Sequence, residues 1–255
     1  GGSGIPLVFL HGFSVSAAAY AEMLELLAGN GFHVFAFDLP DHGGSDSLPF
    51  GHTVKDMAEV VDQVLDQLDM SECVLVGHSM GGWVAAEVAA IYPLGFTDVI
   101  LLDAAVGKEF HEGIRLSGPG AGKRLAQFAV GGLRDILGDA RKAGSVRTLL
   151  ERLSLVSRLG SSVSGPGIVR AVHAMVQGDS SEALRALRGR VRTVLVHGEL
   201  DGIVPWETAF SAAELSGAPV HTISDSYHSW MIADPELALS VIRALTYSGD
   251  DREAA

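Results

Sequence analysis

Six short apolar runs of strand length recur along the chain, at residues 5–10, 33–37, 73–76, 99–102, 191–196 and 220–223. Most are separated by stretches with apolar residues three and four apart, at 16–28, 54–68, 82–91, 207–215 and 235–245, the spacing of amphipathic helices. Thr53 followed by Asp56 predicts a cap for the second of these helices. Almost wholly apolar strands that alternate with helices predict a sheet buried on both faces, hence an α/β fold with a doubly wound, mainly parallel sheet. Over 104–190 the alternation stops, and helical patterns are broken by glycine-rich stretches at 117–122 and 160–167. This segment is predicted to be an inserted helical cap, with 1–103 and 191–255 forming the core.

Charge sharpens that division. Residues 104–190 carry 14 Lys and Arg against 7 Asp and Glu, a net +7, whereas the whole chain is at −13. A basic insertion docking on an acidic core accounts for the asymmetry; a cap that attracts an anionic substrate is the sharper alternative. The acidic total argues against nucleic acid or an anionic membrane surface as a partner. With 255 residues, 47% of them apolar, the chain can bury a large single core. Cys73 is the only cysteine, which excludes an intrachain disulfide and makes a reducing cytoplasm the expected location. No transmembrane run or signal peptide is evident. Gly1-Gly2-Ser3-Gly4 is read as a linker, a processing scar or a cut end, and is set aside from the fold.

The chemistry-bearing motif is Gly77-His78-Ser79-Met80-Gly81-Gly82, a G-x-S-x-G pattern between the apolar run at 73–76 and the helical pattern beginning at 82. A serine at the tip of a tight strand-to-helix turn has strained backbone angles and no room for neighbouring side chains, which the glycines provide. The turn also sets Ser79 at a helix N-terminus, where free N–H groups and the helix dipole favour developing negative charge.

With its flanks, this motif resembles the α/β-hydrolase family, and the resemblance runs from Ile5 to about Leu245. It implies an α/β-hydrolase fold with a serine nucleophile at Ser79. The apolar run ending in His11-Gly12-Phe13 is similar to the family's oxyanion strand, so the resemblance implies backbone donors at Phe13 and Met80. The segment from Asp38 to Ser45 resembles a family loop with a structural role, which weighs against His42 as the base. The strand and polar turn reaching Asp201 resemble the segment that delivers the triad carboxylate, with Glu199 and Asp103 as rival carboxylates. His228, after the last core strand, matches the triad base, although Tyr227 stands where many relatives have Gly. Asp225 is expected to be a turn residue.

The order Ser79, Asp201, His228 is the one expected for this fold. It implies that His228 takes the Ser79 proton, Asp201 orients the imidazole, and water clears an acyl-enzyme. A serine rather than an aspartate nucleophile argues against dehalogenase or epoxide hydrolase chemistry. A carboxylic ester hydrolase is favoured; thioesterase, lactonase, carbon-carbon bond hydrolase and cofactor-free perhydrolase share the same residues. A slow or non-catalytic ligand receptor is the alternative of a different class. No cofactor and no metal are expected, since the histidines lack metal-ligand spacing. The glycine-rich run at 117–124 departs from a phosphate loop and is read as a hinge. Trp206, Trp230 and Met231 are pocket candidates by adjacency. Phe110, Leu125, Phe128, Leu149, Leu150, Leu153, Val172 and Met175 are read first as helix packing and only secondarily as a pocket lining. The expected partner is a small ester-type substrate. Relatives carry a hairpin before the first strand, where this chain has almost nothing; whether it is absent or removed is open, and with six strands instead of eight the expected sheet edge is open to homodimerisation or to cover by another chain.

Overall fold

A computed structural model describes residues 1–114, 135, 137–139, 141 and 165–247. Strands β1 (Ile5–Leu10), β2 (Phe32–Ala36), β3 (Cys73–His78), β4 (Phe96–Leu102), β5 (Arg192–Gly198) and β6 (Val220–Ile223) form one sheet in the order β2-β1-β3-β4-β5-β6. Every neighbouring pair is parallel. β3 and β5 outrun their apolar runs because pairing continues to His78 opposite Leu102 and to Gly198 opposite Ile223.

The described helices are α1 (Ala21–Gly29), α2 (Val54–Gln67), α3 (Met80–Ile91), α4 (Lys108–Ile114), α5 (Gly165–Gln177), α6 (Ser181–Leu187), α7 (Glu207–Ser216), α8 (Trp230–Ala233) and α9 (Pro235–Tyr247). Alternation along the strands divides the core. Val8, Leu10, Leu75, Val99 and Leu101 pack with α2 and α3, whereas Leu7, Phe9, Val74, Val76, Ile100 and Leu102 pack with α1, α8 and α9. Each fully buried aliphatic or aromatic side chain contributes roughly 1.5–3 kcal/mol, so this two-faced burial is what fixes where the strands end. α2 begins on a capping box: Thr53 Oγ1 accepts from the Asp56 N–H at 3.3 Å, and Asp56 Oδ2 accepts from the Thr53 N–H at 2.6 Å.

The chain leaves β1 for the β2 edge and then crosses to β3 on the other side of β1. Such a reversal opens a crevice at the carboxyl ends of β1 and β3. That crevice receives the loops carrying Phe13 and Ser79.

Two expectations are corrected or lie elsewhere. The opening glycines do take part in the fold: Gly2 forms an antiparallel bridge with His33, and the Val34 N–H donates to Gly1 O at 2.7 Å. Of the segment 104–190, α4, α5, α6 and the helical residues at 135, 137–139 and 141 are described. The glycine-rich run at 117–124 and Leu125, Phe128, Leu149, Leu150 and Leu153 lie outside the described residues. Phe110 is buried in the α2/α3 core and Met175 packs against it, as helix packing requires. No helix among the described residues is long and apolar enough to cross a membrane.

Candidate active site

Ser79 lies between β3 and α3 with φ 55° and ψ −120°, a conformation that costs an L-residue on the order of 1–3 kcal/mol. Its neighbours make the turn possible. A Cβ on Gly77 would collide with the Gly81 carbonyl, and one on Gly81 with the Leu10 and His11 carbonyls. The backbone is held on both sides: the Ser79 N–H donates to Leu102 O at 3.0 Å, and Ser79 O accepts from the N–H groups of Gly82, Trp83 and Ala105.

Ser79 Oγ lies 3.0 Å from His228 Nε2, and His228 Nδ1 lies 2.7 Å from Asp201 Oδ2. The three sequence-predicted residues are therefore brought together, each within a few residues of a strand's carboxyl end. The two Asp201 oxygens have divided tasks, because Oδ1 accepts from the Ile203 and Val204 N–H groups, both at 2.8 Å. This network assigns the proton to His228 Nδ1 and leaves Nε2 as an acceptor facing the Ser79 hydroxyl. Burial lowers the His228 imidazole, against the opposing pull of Asp103, Asp135 and Asp139, so the neutral base is favoured. Burial also pushes the Asp201 carboxyl up, opposed first by the Val204 N–H.

His78, only a variable position of the motif in the sequence, proves to be a strut beneath the nucleophile. The Gly12 N–H donates to Tyr20 Oη at 3.2 Å, Tyr20 Oη–H donates to His78 Nδ1 at 2.7 Å, and His78 Nε2–H donates to the His228 carbonyl at 2.9 Å. Burial holds His78 well below the usual histidine range, so it stays neutral with one donor and one acceptor, as the relay needs. The relay ties the β1 loop to the base loop. Its only sequence signal is a polar residue at the end of a wholly apolar strand.

The oxyanion candidates flank the same point. Met80 is the first residue of α3, and Phe13 follows Gly12, where a Cβ would sit 3.2 Å from the Ser79 Cβ. Among the described residues, neither the Phe13 nor the Met80 N–H donates to a carbonyl of another loop or element.

The rival carboxylates go elsewhere. Glu199 is exposed and accepts from the Asp225 N–H at 3.1 Å, in the turn where Asp225 has φ 54°. Asp103 is fully buried; its Oδ1 accepts from the Gly198 N–H at 2.7 Å and its Oδ2 from Trp230 Nε1–H at 2.6 Å. Burial pushes its carboxyl up to about 7. Ligand atoms of Asp103, His197 and Asp201 lie within 4.8 Å of one another and are the grouping among the described residues with metal-ligand chemistry. Those side chains are already engaged: His197 Nε2–H donates to Val204 O at 2.9 Å, and both carboxylates are bonded as described. His42 is buried beside Phe13, and its Nδ1–H donates to Pro40 O at 2.9 Å rather than serving Ser79.

The pocket candidates are placed as follows. Trp230 and Met231 are buried in the core formed with α1 and α9, because the first turn of α8 rotates them under the sheet. Trp206 is turned toward the β6 edge, where its Nε1–H donates to Thr222 Oγ1 at 3.2 Å and its ring packs edge-on against Phe210.

A parallel sheet with a serine on a strained strand-to-helix turn at its switch point defines the class as an α/β hydrolase. The family model for the alpha/beta hydrolase fold matches residues 5–235, and the chain belongs to that family. It is 44% identical over 247 residues to a putative non-heme haloperoxidase of Mycobacterium phage D29, covering 94% of this chain and 87% of that protein. The solved structure of Est816, described as an N-acyl homoserine lactone degrading enzyme, superposes with a TM-score of 0.75 at 26% identity, over 95% of this chain and 93% of that one. A thermophilic esterase from Thermogutta terrifontis shares the fold, with a TM-score of 0.73 at 24% identity over 97% of this chain and 91% of that one. The family supports a hydrolase activity for this chain.

Proposed function

We propose that the chain is a serine hydrolase that cleaves carboxylic ester bonds through an acyl-enzyme on Ser79. The observation that carries the reading is the continuous contact from Ser79 Oγ through His228 to Asp201, at 3.0 and 2.7 Å. His228 Nε2 removes the hydroxyl proton as Ser79 Oγ attacks the carbonyl carbon, and the imidazolium formed is stabilised by Asp201. The Phe13 and Met80 N–H groups receive the developing oxyanion, each worth roughly 3 kcal/mol in the transition state. His228 then returns the proton to the leaving alcohol. Water, deprotonated by the same imidazole, releases the acid. The segment 104–190 serves as the cap over this site and, with the crevice, selects the acyl and leaving groups.

The haloperoxidase name of the phage relative favours a second reading on the same residues. In it the acyl group passes from Ser79 to hydrogen peroxide instead of water, giving a peracid and regenerating the serine hydroxyl.

A series of p-nitrophenyl esters of increasing acyl length tests the first reading, with peroxide-dependent peracid formation measured in parallel. Hydrolysis with a clear length optimum is expected, and an inert but folded protein contradicts the proposal. The sign of the pH dependence follows from the base. Only neutral His228 accepts the Ser79 proton, and burial holds its pKa below 6.5. kcat/KM is therefore expected to rise with pH along an acid limb centred below 6.5. A limb centred above that value contradicts the assignment.

A further inference from the structure

Two carboxylates from the segment between β4 and β5 reach the loops of the proposed acid and base. Asp135 and Asp139 are both helical and four residues apart, the spacing that stacks side chains on one helix face. Both Asp135 oxygens accept from the Gly202 N–H, at 3.1 Å each, and Gly202 directly follows Asp201. Asp139 Oδ2 accepts from the Ser229 N–H at 3.2 Å, and Ser229 directly follows His228. Between the two, Gly138 meets the Tyr227 ring so closely that a Cβ there would collide with it. Tyr227 and Ser229, the residues on either side of His228, are thus both seated on one helical turn. Asp135 and Asp139 are almost completely buried, and Asp139 Oδ1 has no hydrogen-bond partner among the described residues. Capping two backbone N–H groups could be done by an amide or a hydroxyl without burying charge, so the choice of carboxylates points to a further task.

We infer that Asp135 and Asp139 are positioning residues that clamp the acid loop and the base loop in register by accepting the backbone N–H immediately after each triad member. The inference rests on the triad reading above and deepens it. It also gives Tyr227 a purpose: the ring that replaces the usual glycine is the surface on which the turn at Gly138 is seated. Through charge, the same pair acts on the base. The titratable groups facing His228 are Asp201 from the loop after β5, Asp103 from the end of β4, His78 from the end of β3, and Asp135 and Asp139. Each carboxylate favours the His228 imidazolium by its charge, while burial pushes both carboxyls up, Asp139 to about 7.

The experiment compares Asp135→Asn, Asp139→Asn, Asp135→Leu and Asp139→Leu with the wild type and Ser79→Ala. It measures ester kcat and KM, their pH profiles, and the rate at which a p-nitrophenyl phosphonate labels Ser79 with release of p-nitrophenolate. Asn keeps the acceptor oxygen and loses the charge; Leu loses both. The Leu variants are expected to lose about 10- to 100-fold in kcat and in labelling rate with KM little changed, the scale of a misplaced catalytic group. The Asn variants are expected to keep kcat within a few-fold, while each moves the acid limb to lower pH, since each removes a charge that favours the His228 imidazolium. If a Leu variant fails to fold, the limb of the Asn variants decides. Unchanged kcat, labelling and limb in all the variants, or losses confined to KM, overturn the inference. A wild type that neither hydrolyses esters nor is labelled at Ser79 overturns instead the function on which it rests.

Discussion

Replacing Ser79 by Ala is expected to lower kcat/KM for ester hydrolysis by about 10⁵-fold while leaving the fold in place. The hydroxyl is the only atom removed, and no other described nucleophile touches His228 Nε2. Residual turnover would come from water positioned by the oxyanion donors. The structural cost is small because the turn at Ser79 is set by the surrounding backbone: the N–H bonded to Leu102 O, the carbonyl serving three donors, and the glycines at 77 and 81. Losing the 3.0 Å contact to His228 costs on the order of 1 kcal/mol, a Tm change of about 2–4 °C for a chain of this size. Parallel kinetics and thermal melts check both halves of the prediction. A variant that keeps a tenth of the activity contradicts it.

Asp201→Asn is expected to cost about 10⁴-fold in kcat, more than the loss of a charge alone would suggest. The reason lies in how the two carboxylate oxygens are used. Oδ1 accepts two backbone N–H groups, so the Asn carbonyl oxygen is held there and the NH₂ is forced to face His228 Nδ1. Nδ1 then becomes the acceptor, the ring proton moves to Nε2, and the nitrogen facing Ser79 no longer accepts the hydroxyl proton. Asp103 does not substitute, because both its oxygens are committed to Gly198 and Trp230. The kinetics of the variant, and a nitrogen-15 spectrum showing the proton on Nε2, check the prediction. A variant with Nδ1 still protonated and kcat near wild type contradicts it.

The existence and order of the strands were legible in the sequence, because a parallel strand buried on both faces has little choice but a continuous apolar run; the ends of β3, β4 and β5 were not, since pairing carries them past those runs. The run at 5–10 coincides with β1, and the motif around Ser79 is tied to the end of β3 by its glycines; β6 coincides with 220–223 too, but as an edge strand with His221 and Thr222 exposed. What was hidden depends on rotation and distance. Trp230 and Met231 follow the base in sequence, but a helix turns its side chains by about 100° per residue, and α8 directs these two into the core beneath the sheet. The Tyr20–His78 contact joins residues 58 apart, one in a helical pattern and one inside a motif whose other members draw the attention. Asp135 and Asp139 enter the sequence only as two of the charges of segment 104–190; only their contacts with the acid and base loops, at Gly202 and Ser229, set them apart. The opening glycines looked like a tail, and their pairing with β2 uses backbone alone, which leaves no side-chain pattern to read.

The most direct test of the account is to mix the protein with a slowly deacylated p-nitrophenyl ester at low pH, quench it early, and locate the acyl group by peptide mass spectrometry. The account predicts a burst of one p-nitrophenolate per chain and the acyl group on Ser79; linear release without a burst and no adduct, or an adduct on any other residue, would contradict it.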